Sequence, residues 1–395
     1  MNIKNTAIIG ALALLAGDAS AATRTFVITG ATAFRAAANN SIIQLLGGSG
    51  VTEYAFTGTS GIGGTNRAIF KGTMAAFPAD EIIVKASWSG STQGVLDLAD
   101  QSAVEVLKSS VSMTTAGNNI SITGNVESAT PRWAFSDVDK FLSTRPNASL
   151  SGGPVGVVPF MFIAGEGAPA GITNMTDQLH QTLWSTGSMP AAMFTGNPAD
   201  TTTVLATGRN NGSGTRATIL AETGYGAFTN VVQYNAAVSG NRTGVGALGA
   251  ISDFGNSGHS SNSGVRELVT RPATGLTFEG ASIDAVFVSY LTISDAVSAT
   301  GYVQATGAIS GGEGAIPMTY NGVRYSEENV KNGAYSLWGY QQFYMANGPT
   351  AQETTFDTAL RAVIPDYMGS AGIPITTMTV TRSNGDGGPI SPNAE

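Results

Sequence analysis

A glycine-rich segment from Arg209 to Arg216 combines the residue types that bind a small anion. Its centre, Gly212-Ser213-Gly214-Thr215, lies between a strand-like run and a helix-like run, so it should form a helix N-terminus. There the first backbone N–H groups lack helical partners, and the helix dipole favours negative charge. The two hydroxyls add donors, and Arg209 adds a charged planar fork that fits an oxyanion. The segment predicts an anion site, with a plain capped helix as the alternative.

A second turn of small residues, Trp88-Ser89-Gly90-Ser91-Thr92, precedes a helix predicted from Gln93 to Leu107. Like the first turn, it places small residues at a predicted helix N-terminus, and a plain helix cap is again the alternative. Turns from different parts of an open α/β sheet can converge on one ligand in the crevice between them. The repetition therefore strengthens the prediction of an anion site.

Other chemical motifs have weaker support. Gly244 to Gly249 matches G-x-G-x-x-G, but no regular helix follows; Gly212 to Ala217 lacks the acidic residue that a dinucleotide ribose requires. His180 and His259 have no metal-ligand spacing, and both are predicted at the surface. A hydrolase built on His259 has no support beyond the residue type. The sequence therefore predicts no catalytic residue, cofactor or metal.

Composition and charge restrict the class of protein. The 395 residues suffice for two or more lobes, and 19 basic against 27 acidic residues leave a net charge of −8, which disfavours nucleic acid. The absence of cysteine excludes disulfides and thiolate metal sites. Lys4, a short apolar run and Ala19-Ser20-Ala21 predict a signal peptide over residues 1–21. We expect a periplasmic or secreted mature chain without membrane insertion.

Strand-like and helix-like runs alternate along the chain, which predicts an α/β fold with mostly parallel sheets flanked by helices. A hairpin is predicted within residues 111–126, a buried parallel strand over 155–163, and a disordered tail over 381–395. The other predicted strands are 25–28, 81–87, 201–207 and 285–290, and the other helices are 33–46, 176–183, 217–223, 265–268 and 354–363.

With these motifs in order, the chain resembles the phosphate-binding proteins of bacterial ABC transporters, within the type II periplasmic binding-protein fold. Three differences stand out: Asn211 replaces the usual aspartate of the R-x-D-G-S-G-T loop, Arg35 replaces a proline, and segments 55–80 and 98–130 look like insertions. The segments that carry the resemblance are Phe26–Phe34, Trp88–Gly94, Phe135–Asp137, Val157–Ile163, Thr176–Trp184, Arg209–Thr215 and Asn262–Arg266.

The resemblance implies two lobes, residues 22–153 with 309–380 and residues 154–308, with a ligand cleft between them. It implies a non-enzyme that binds phosphate or a similar oxyanion and delivers it to an ABC permease. The alternative is a secreted structural or surface protein on the same fold that has lost or changed its ligand. The ligand-binding residues that the resemblance implies are Thr32, Ser89, Asp137, Arg209, Ser213, Gly214 and Thr215.

Overall fold

The computed structural model describes residues 21–47, 50–58, 60–238, 248–272, 274–278, 280–369 and 372–393. The predicted signal peptide up to Ser20, and most of the Gly244–Gly249 motif, lie outside these ranges. Within them, no helix is both long enough and apolar enough to cross a membrane. Nor do the same ranges contain a group of three His, Cys, Asp or Glu residues that could hold a metal ion.

Helices and strands alternate through most of the described chain. The helices are α1 (Arg35–Gly47), α2 (Gly61–Gly64), α3 (Ser91–Ala99), α4 (Asp177–Thr186), α5 (Ala192–Thr195), α6 (Gly214–Glu222), α7 (Asn262–Val269), α8 (Ile293–Thr300), α9 (Glu327–Lys331) and α10 (Ala351–Val363). The strands up to the longest one are β1 (Thr23–Gly30), β2 (Glu53–Phe56), β3 (Arg67–Met74), β4 (Phe77–Ser87), β5 (Val104–Leu107), β6 (Asn118–Asn119), β7 (Val126–Ala129), β8 (Trp133–Ser136) and β9 (Leu150–Ala164).

The later strands include two long buried ones, Ala285–Thr292 and Trp338–Ala346. In chain order they are β10 (Asn174–Met175), β11 (Ser188–Pro190), β12 (Thr203–Ala206), β13 (Gln233–Val238), β14 (Leu248–Gly255), β15 (Leu276–Phe278), β16 (Ala281–Ile283), β17 (Ala285–Thr292), β18 (Tyr302–Val303), β19 (Ala308–Ile309), β20 (Ile316–Pro317), β21 (Thr319–Tyr320), β22 (Trp338–Ala346), β23 (Ile373–Pro374), β24 (Val380–Arg382) and β25 (Ile390–Pro392).

One large sheet runs through the molecule in the order β11-β12-β17-β9-β22-β8-β1-β4-β3-β2-β6. Strand β1 is parallel to β4 and β8, and β12 is parallel to β17. Strands β9 and β22 run antiparallel to each other, and each is antiparallel to its outer neighbour. Every residue of β17 and β22 is buried, as expected for strands covered on both faces. The α/β class predicted from the alternation is confirmed.

Strand β9 connects the two halves of this sheet. Its first part pairs with β22, and its last part, from Phe160 to Ala164, pairs with β17. The lobe boundary predicted after residue 153 therefore falls inside a continuous strand. The predicted parallel direction for residues 155–163 is wrong, since both long neighbours run antiparallel to β9. An apolar run indicates burial, but its direction depends on the strands beside it.

Two local predictions between α3 and β8 are wrong. The predicted helix 93–107 ends at Ala99, and Val104–Leu107 forms β5, which pairs with β7. Residues 111–126 do not form a hairpin with each other, because Asn118–Asn119 pairs with β2 and Val126 pairs with Leu107 of β5. Val104 and Val106 pack against Val27 in a small buried cluster, so tertiary contacts favour a strand where the periodicity allowed a helix.

The C-terminal residues form a hairpin rather than the disordered tail predicted for residues 381–395. Strands β24 and β25 pair, and the Arg382 guanidinium donates to the buried carboxyl group of Glu222 in α6 at 2.6 Å. Between the two strands, the Asp386 carboxylate accepts the N–H groups of Asp139 (2.7 Å) and Tyr340 (2.8 Å). The hairpin therefore holds α6 and strand β22 together. The sequence did not indicate this hairpin, because its stability comes from partners that are distant in the chain.

We expect the free energy of unfolding to fall as the pH rises from about 5 to 8, in part through Glu222. Burial raises the pKa of Glu222 to about 8, although Arg382 opposes this rise. The folded state then holds a proton that the unfolded chain releases near pH 4.3, so stability is lost between these values. Urea unfolding across this pH range should show that the free energy of unfolding depends less on pH in Glu222→Gln than in the wild type. Glu105→Gln, which changes a partly exposed ion pair, is the control and should keep the wild-type pH dependence. The same pH dependence in the wild type and in Glu222→Gln would contradict this role of Glu222.

Candidate functional site

The N-terminus of α6 is capped as the sequence predicts. The Ser213 hydroxyl accepts a hydrogen bond from the Arg216 N–H (3.4 Å), so this serine does act as a helix cap. A Cβ added to Gly214 would lie 1.9 Å from Oδ1 of Asp137 and 2.5 Å from the Cβ of Ser91. Close approach of these side chains, not an unusual backbone angle, therefore explains the glycine at this position.

Asp137 follows β8 and lies buried against this helix end. Its carboxylate accepts hydrogen bonds from the hydroxyl of Ser91, on one oxygen, and of Thr215 (3.2 Å), on the other. Its own N–H donates to the Ser91 hydroxyl at 3.2 Å. Burial raises the pKa of Asp137, and the hydrogen bond from Ser91, the charge of Arg209 and the hydrogen bond from Thr215 oppose that rise.

Arg209 is also buried, with 3% of its surface exposed. Its guanidinium donates to the carbonyl of His259 (3.2 Å), to Oδ1 of Asn262 (2.8 Å) and to the carbonyl of Ser260 (3.0 Å). Burial lowers the pKa of Arg209, and Asp137 is the strongest opposing charge. Yet within the described chain no ion pair of 4.0 Å or less joins Arg209 to Asp137.

The structure brings together some of the residues that the resemblance singled out. Asp137 and Thr215 touch, and Gly214 packs directly against Asp137; with Ser91 and the nearby Arg209 they form what we call the Asp137 cluster. Ser213 lies next to the cluster as a cap. The exposed Ser89 instead bonds to the hydroxyl of Thr29 (3.2 Å) and to Asp97 (3.4 Å), and Thr32 lines a neighbouring cavity.

The sequence reading did not select Ser91. It lies two positions after Ser89 in the same turn, and no local pattern decides which of the two serines faces Asp137. Gly90, at φ 114°, lies between them, and the two side chains have different partners: Ser89 bonds to Thr29 and Asp97, whereas Ser91 bonds to Asp137. The position of this turn relative to β8 decides which of the two serines contacts Asp137, and that position depends on the tertiary structure.

The predicted surface position of the two histidines is wrong. His180 is fully buried and stacks on Trp184 at 4.5 Å, and burial lowers its pKa to about 3. His180, Leu183 and Trp184 all lie on the buried face of α4 at helical spacing, a signal that the sequence already contained. His259 is half-buried and supplies a carbonyl to Arg209.

A cavity of about 300 Å³ opens beside the Asp137 cluster. It lies where three helices begin, since α1, α7 and α8 each contribute residues from their first turn. Its charged lining residues are Arg35 and Asp295, and its other lining residues are Thr32, Ala33, Ala36, Ser60, Gly63, Gly64, Ser261, Asn262, Ser263, Thr292 and Ser294.

Comparison with solved structures finds several phosphate-binding and phosphate-transport proteins, all at low sequence identity. One similar structure, from Clostridium perfringens, is assigned as a phosphate ABC transporter substrate-binding protein and contains bound phosphate: TM-score 0.48, 11% identity, 89% of this chain and 100% of that chain covered. Another is an ABC-type phosphate transport receptor from Vibrio cholerae, with TM-score 0.46, 11% identity and coverage of 87% and 98%. A third is PstS from Borrelia burgdorferi, with TM-score 0.41, 13% identity and coverage of 88% and 97%.

No protein-family model and no curated protein sequence matches the chain.

Proposed function

We propose that this chain binds a small oxyanion, with phosphate as the first candidate, at the Asp137 cluster, and that it does so as a non-enzymatic binding protein outside the cytoplasm. One observation carries the proposal. Asp137 and Arg209 are buried close together without a direct ion pair, beside two hydroxyls and the N-terminus of a nine-residue helix. Buried opposite charges normally pair directly. An anion that reaches Arg209 and the helix end while contacting Asp137 would complete the arrangement.

In this proposal the Asp137 carboxylate distinguishes oxyanions that carry a proton from those that carry none. Asp137 repels an anion unless the ligand supplies a proton that the carboxylate can accept. Phosphate still carries one or two protons near neutral pH, whereas sulfate carries none. The hydroxyls of Ser91 and Thr215 already donate to the carboxylate, so an ionised Asp137 is ready to accept a further hydrogen bond. This favours phosphate over sulfate.

We expect wild-type protein to bind phosphate at least about tenfold more tightly than sulfate, and Asp137→Asn to narrow that ratio by removing the repulsion. Calorimetric titration of both anions into both proteins measures this. Asp80→Asn is the matched control, because it removes a carboxylate that pairs with Arg24 and should leave the ratio unchanged. A ratio that does not change in Asp137→Asn would exclude Asp137 from the site.

A second candidate function is a secreted structural or surface role on the same fold. The observation in its favour is that Arg209 already donates to three protein acceptors, while Gly214 packs directly on Asp137. In that case the hydrogen bonds of the Asp137 cluster hold α3, α6 and the end of β8 together, and the cluster binds no ligand. Absence of phosphate and sulfate binding by the folded wild type would favour it. Delivery to an ABC permease belongs to the first proposal alone and is supported by the sequence resemblance.

A further inference from the structure

The predicted signal peptide ends where the first strand becomes attached to the sheet. The motif Ala19-Ser20-Ala21 predicts cleavage of the bond between Ala21 and Ala22, and both of these residues are exposed. The carbonyl of Ala22 accepts the N–H of Glu81 at 3.0 Å, and Thr23, the first residue of β1, is the register partner of Glu81 in β4. Cleavage one residue later would lose the bond to Glu81, whereas cleavage at this bond keeps every pair between β1 and β4.

The nitrogen of Ala22 already has a carboxylate partner. It donates to Oδ1 of Asp80 at 2.9 Å, and Asp80 belongs to the neighbouring strand β4. Cleavage converts this peptide N–H into an α-amino group, which is positively charged below its usual pKa of about 7.7–8.0. A hydrogen bond between an ammonium and a carboxylate is about twice as strong as one between neutral groups. The same two atoms would therefore form an ion pair in the processed chain alone.

Arg24 shares Asp80 but uses the other oxygen of its carboxylate. The Nε of Arg24 donates to Oδ2, and its Cζ lies 4.6 Å from the ring centre of Phe77. The hydrogen bonds from the Ala22 N–H and from Arg24 hold the pKa of Asp80 below its usual value, so this carboxylate is ionised at neutral pH. The strand end therefore presents a negative charge to the new amine.

Other charged side chains beside this end of β1 have partners of their own. They are Glu81, whose carboxylate accepts the Thr23 hydroxyl (3.5 Å), and the ion pairs Lys71–Glu53 (2.9 Å) and Arg132–Glu353 (2.7 Å), which line the surface depressions beside Ala21 and Ala22. Asp80, by contrast, contacts the nitrogen of Ala22 directly. It is therefore the carboxylate that receives the new positive charge.

This strand end lies apart from the Asp137 cluster. Strand β1 has eight residues, so about 25 Å separates its start from the loop that carries Thr32 at its far end. Strand β8, which runs parallel to β1, also ends at that far side, beside Asp137. An inference about Ala22 and Asp80 is therefore independent of the proposed phosphate site.

We propose that cleavage after Ala21 creates an ion pair between the Ala22 ammonium and the Asp80 carboxylate, which strengthens the attachment of β1 to β4 in the processed chain. Water adds across the peptide bond: its oxygen bonds to the carbonyl carbon of Ala21, which leaves as a carboxylate, and its two protons go to the Ala22 nitrogen. A peptidase outside this chain catalyses the step. The carboxylate favours the charged form of the amine, so the added stability is present below about pH 7.7 and is lost as the amine deprotonates at higher pH.

The test begins with the full chain, exported by a bacterial host, whose N-terminus is read by mass spectrometry. We expect it to begin at Ala22. The acetylation rate of the Ala22 amine by trace acetic anhydride is then followed on the N-terminal peptide. In Asp80→Asn this rate at pH 7 should rise about two- to fivefold, because the amine loses its proton more easily. Asp100→Asn, which removes an exposed carboxylate of the same charge, should keep the wild-type rate.

Two further chains make the result specific. A chain that retains Ala21 as its first residue carries its amine one residue before the nitrogen that contacts Asp80, so Asp80→Asn should change its rate much less. Arg24→Gln leaves Asp80 to the amine alone, so its Ala22 amine should react more slowly than that of the wild type. This variant also decides the question if Asp80→Asn does not fold.

Two results would overturn the inference. One is an exported protein that remains uncleaved or begins at a residue other than Ala22. The other is an Ala22 amine whose acetylation rate is the same in the wild type, in folded Asp80→Asn and in Arg24→Gln. Failure of the chain to bind phosphate bears on the proposed function and leaves this ion pair unaffected.

Discussion

Arg209→Ala should lower the free energy of unfolding by about 3–5 kcal/mol, the usual effect of removing one partner from a buried charged network. The alanine leaves the carbonyls of His259 and Ser260 and the Asn262 side chain without their donor. It also leaves Asp137 buried without its neighbouring positive charge. Urea-induced unfolding measures the change. The sequence alone predicts a cleft arginine that packs little, but Arg209 is buried, with 3% of its surface exposed.

Two further variants make this result specific. Arg145→Ala removes an exposed arginine that pairs with Asp100, and it should leave stability nearly unchanged. Arg209→Lys keeps the charge but loses the planar fork, so it should recover part of the lost stability. Where the variant still folds, Arg209→Ala should also bind phosphate about ten- to a hundredfold more weakly. Wild-type stability together with wild-type phosphate affinity in Arg209→Ala would contradict both assigned roles.

Gly214→Ala should have the second-largest effect, lowering the free energy of unfolding by about 1–3 kcal/mol and abolishing phosphate binding. The new methyl group would lie 1.9 Å from Oδ1 of Asp137 and 2.7 Å from Oγ of Ser91, so either α6 or these two side chains have to move. Either movement should disturb the hydrogen bond between Thr215 and Asp137. Without the clash, alanine in a helix would be mildly stabilising, so the sign of the change is itself informative.

Gly212→Ala is the matched control. It lies two residues earlier in the same loop, and the nearest atom to an added Cβ is 3.9 Å away, on Asn210. Stability and phosphate affinity should stay close to the wild type. The two substitutions are compared by thermal unfolding and calorimetry, and equal effects at both glycines would show that loop flexibility, not contact with Asp137, explains the result.

The residues around α6 show how far local sequence signals reach. Gly212-Ser213-Gly214-Thr215 between a strand and a helix predicts the start of α6, and the structure confirms it with Ser213 as the cap. The starts of α1 and α4 and the buried runs in β9 and β17 were predicted equally well. Capping, turn chemistry and hydrophobic periodicity act over a few residues, so the sequence alone carries them.

Tertiary structure decided how these elements meet. Whether Ser89 or Ser91 faces Asp137, and whether Arg209 is exposed or buried, depends on residues far away in the chain. The direction of β9 and the ordered C-terminal hairpin depend on β22 and Glu222 in the same way. Burial and charge pairing are properties of neighbours in space. The sequence by itself therefore determined an α/β chain in which one helix N-terminus has the residue types of an anion site. Only the tertiary structure decided which side chains surround that helix N-terminus.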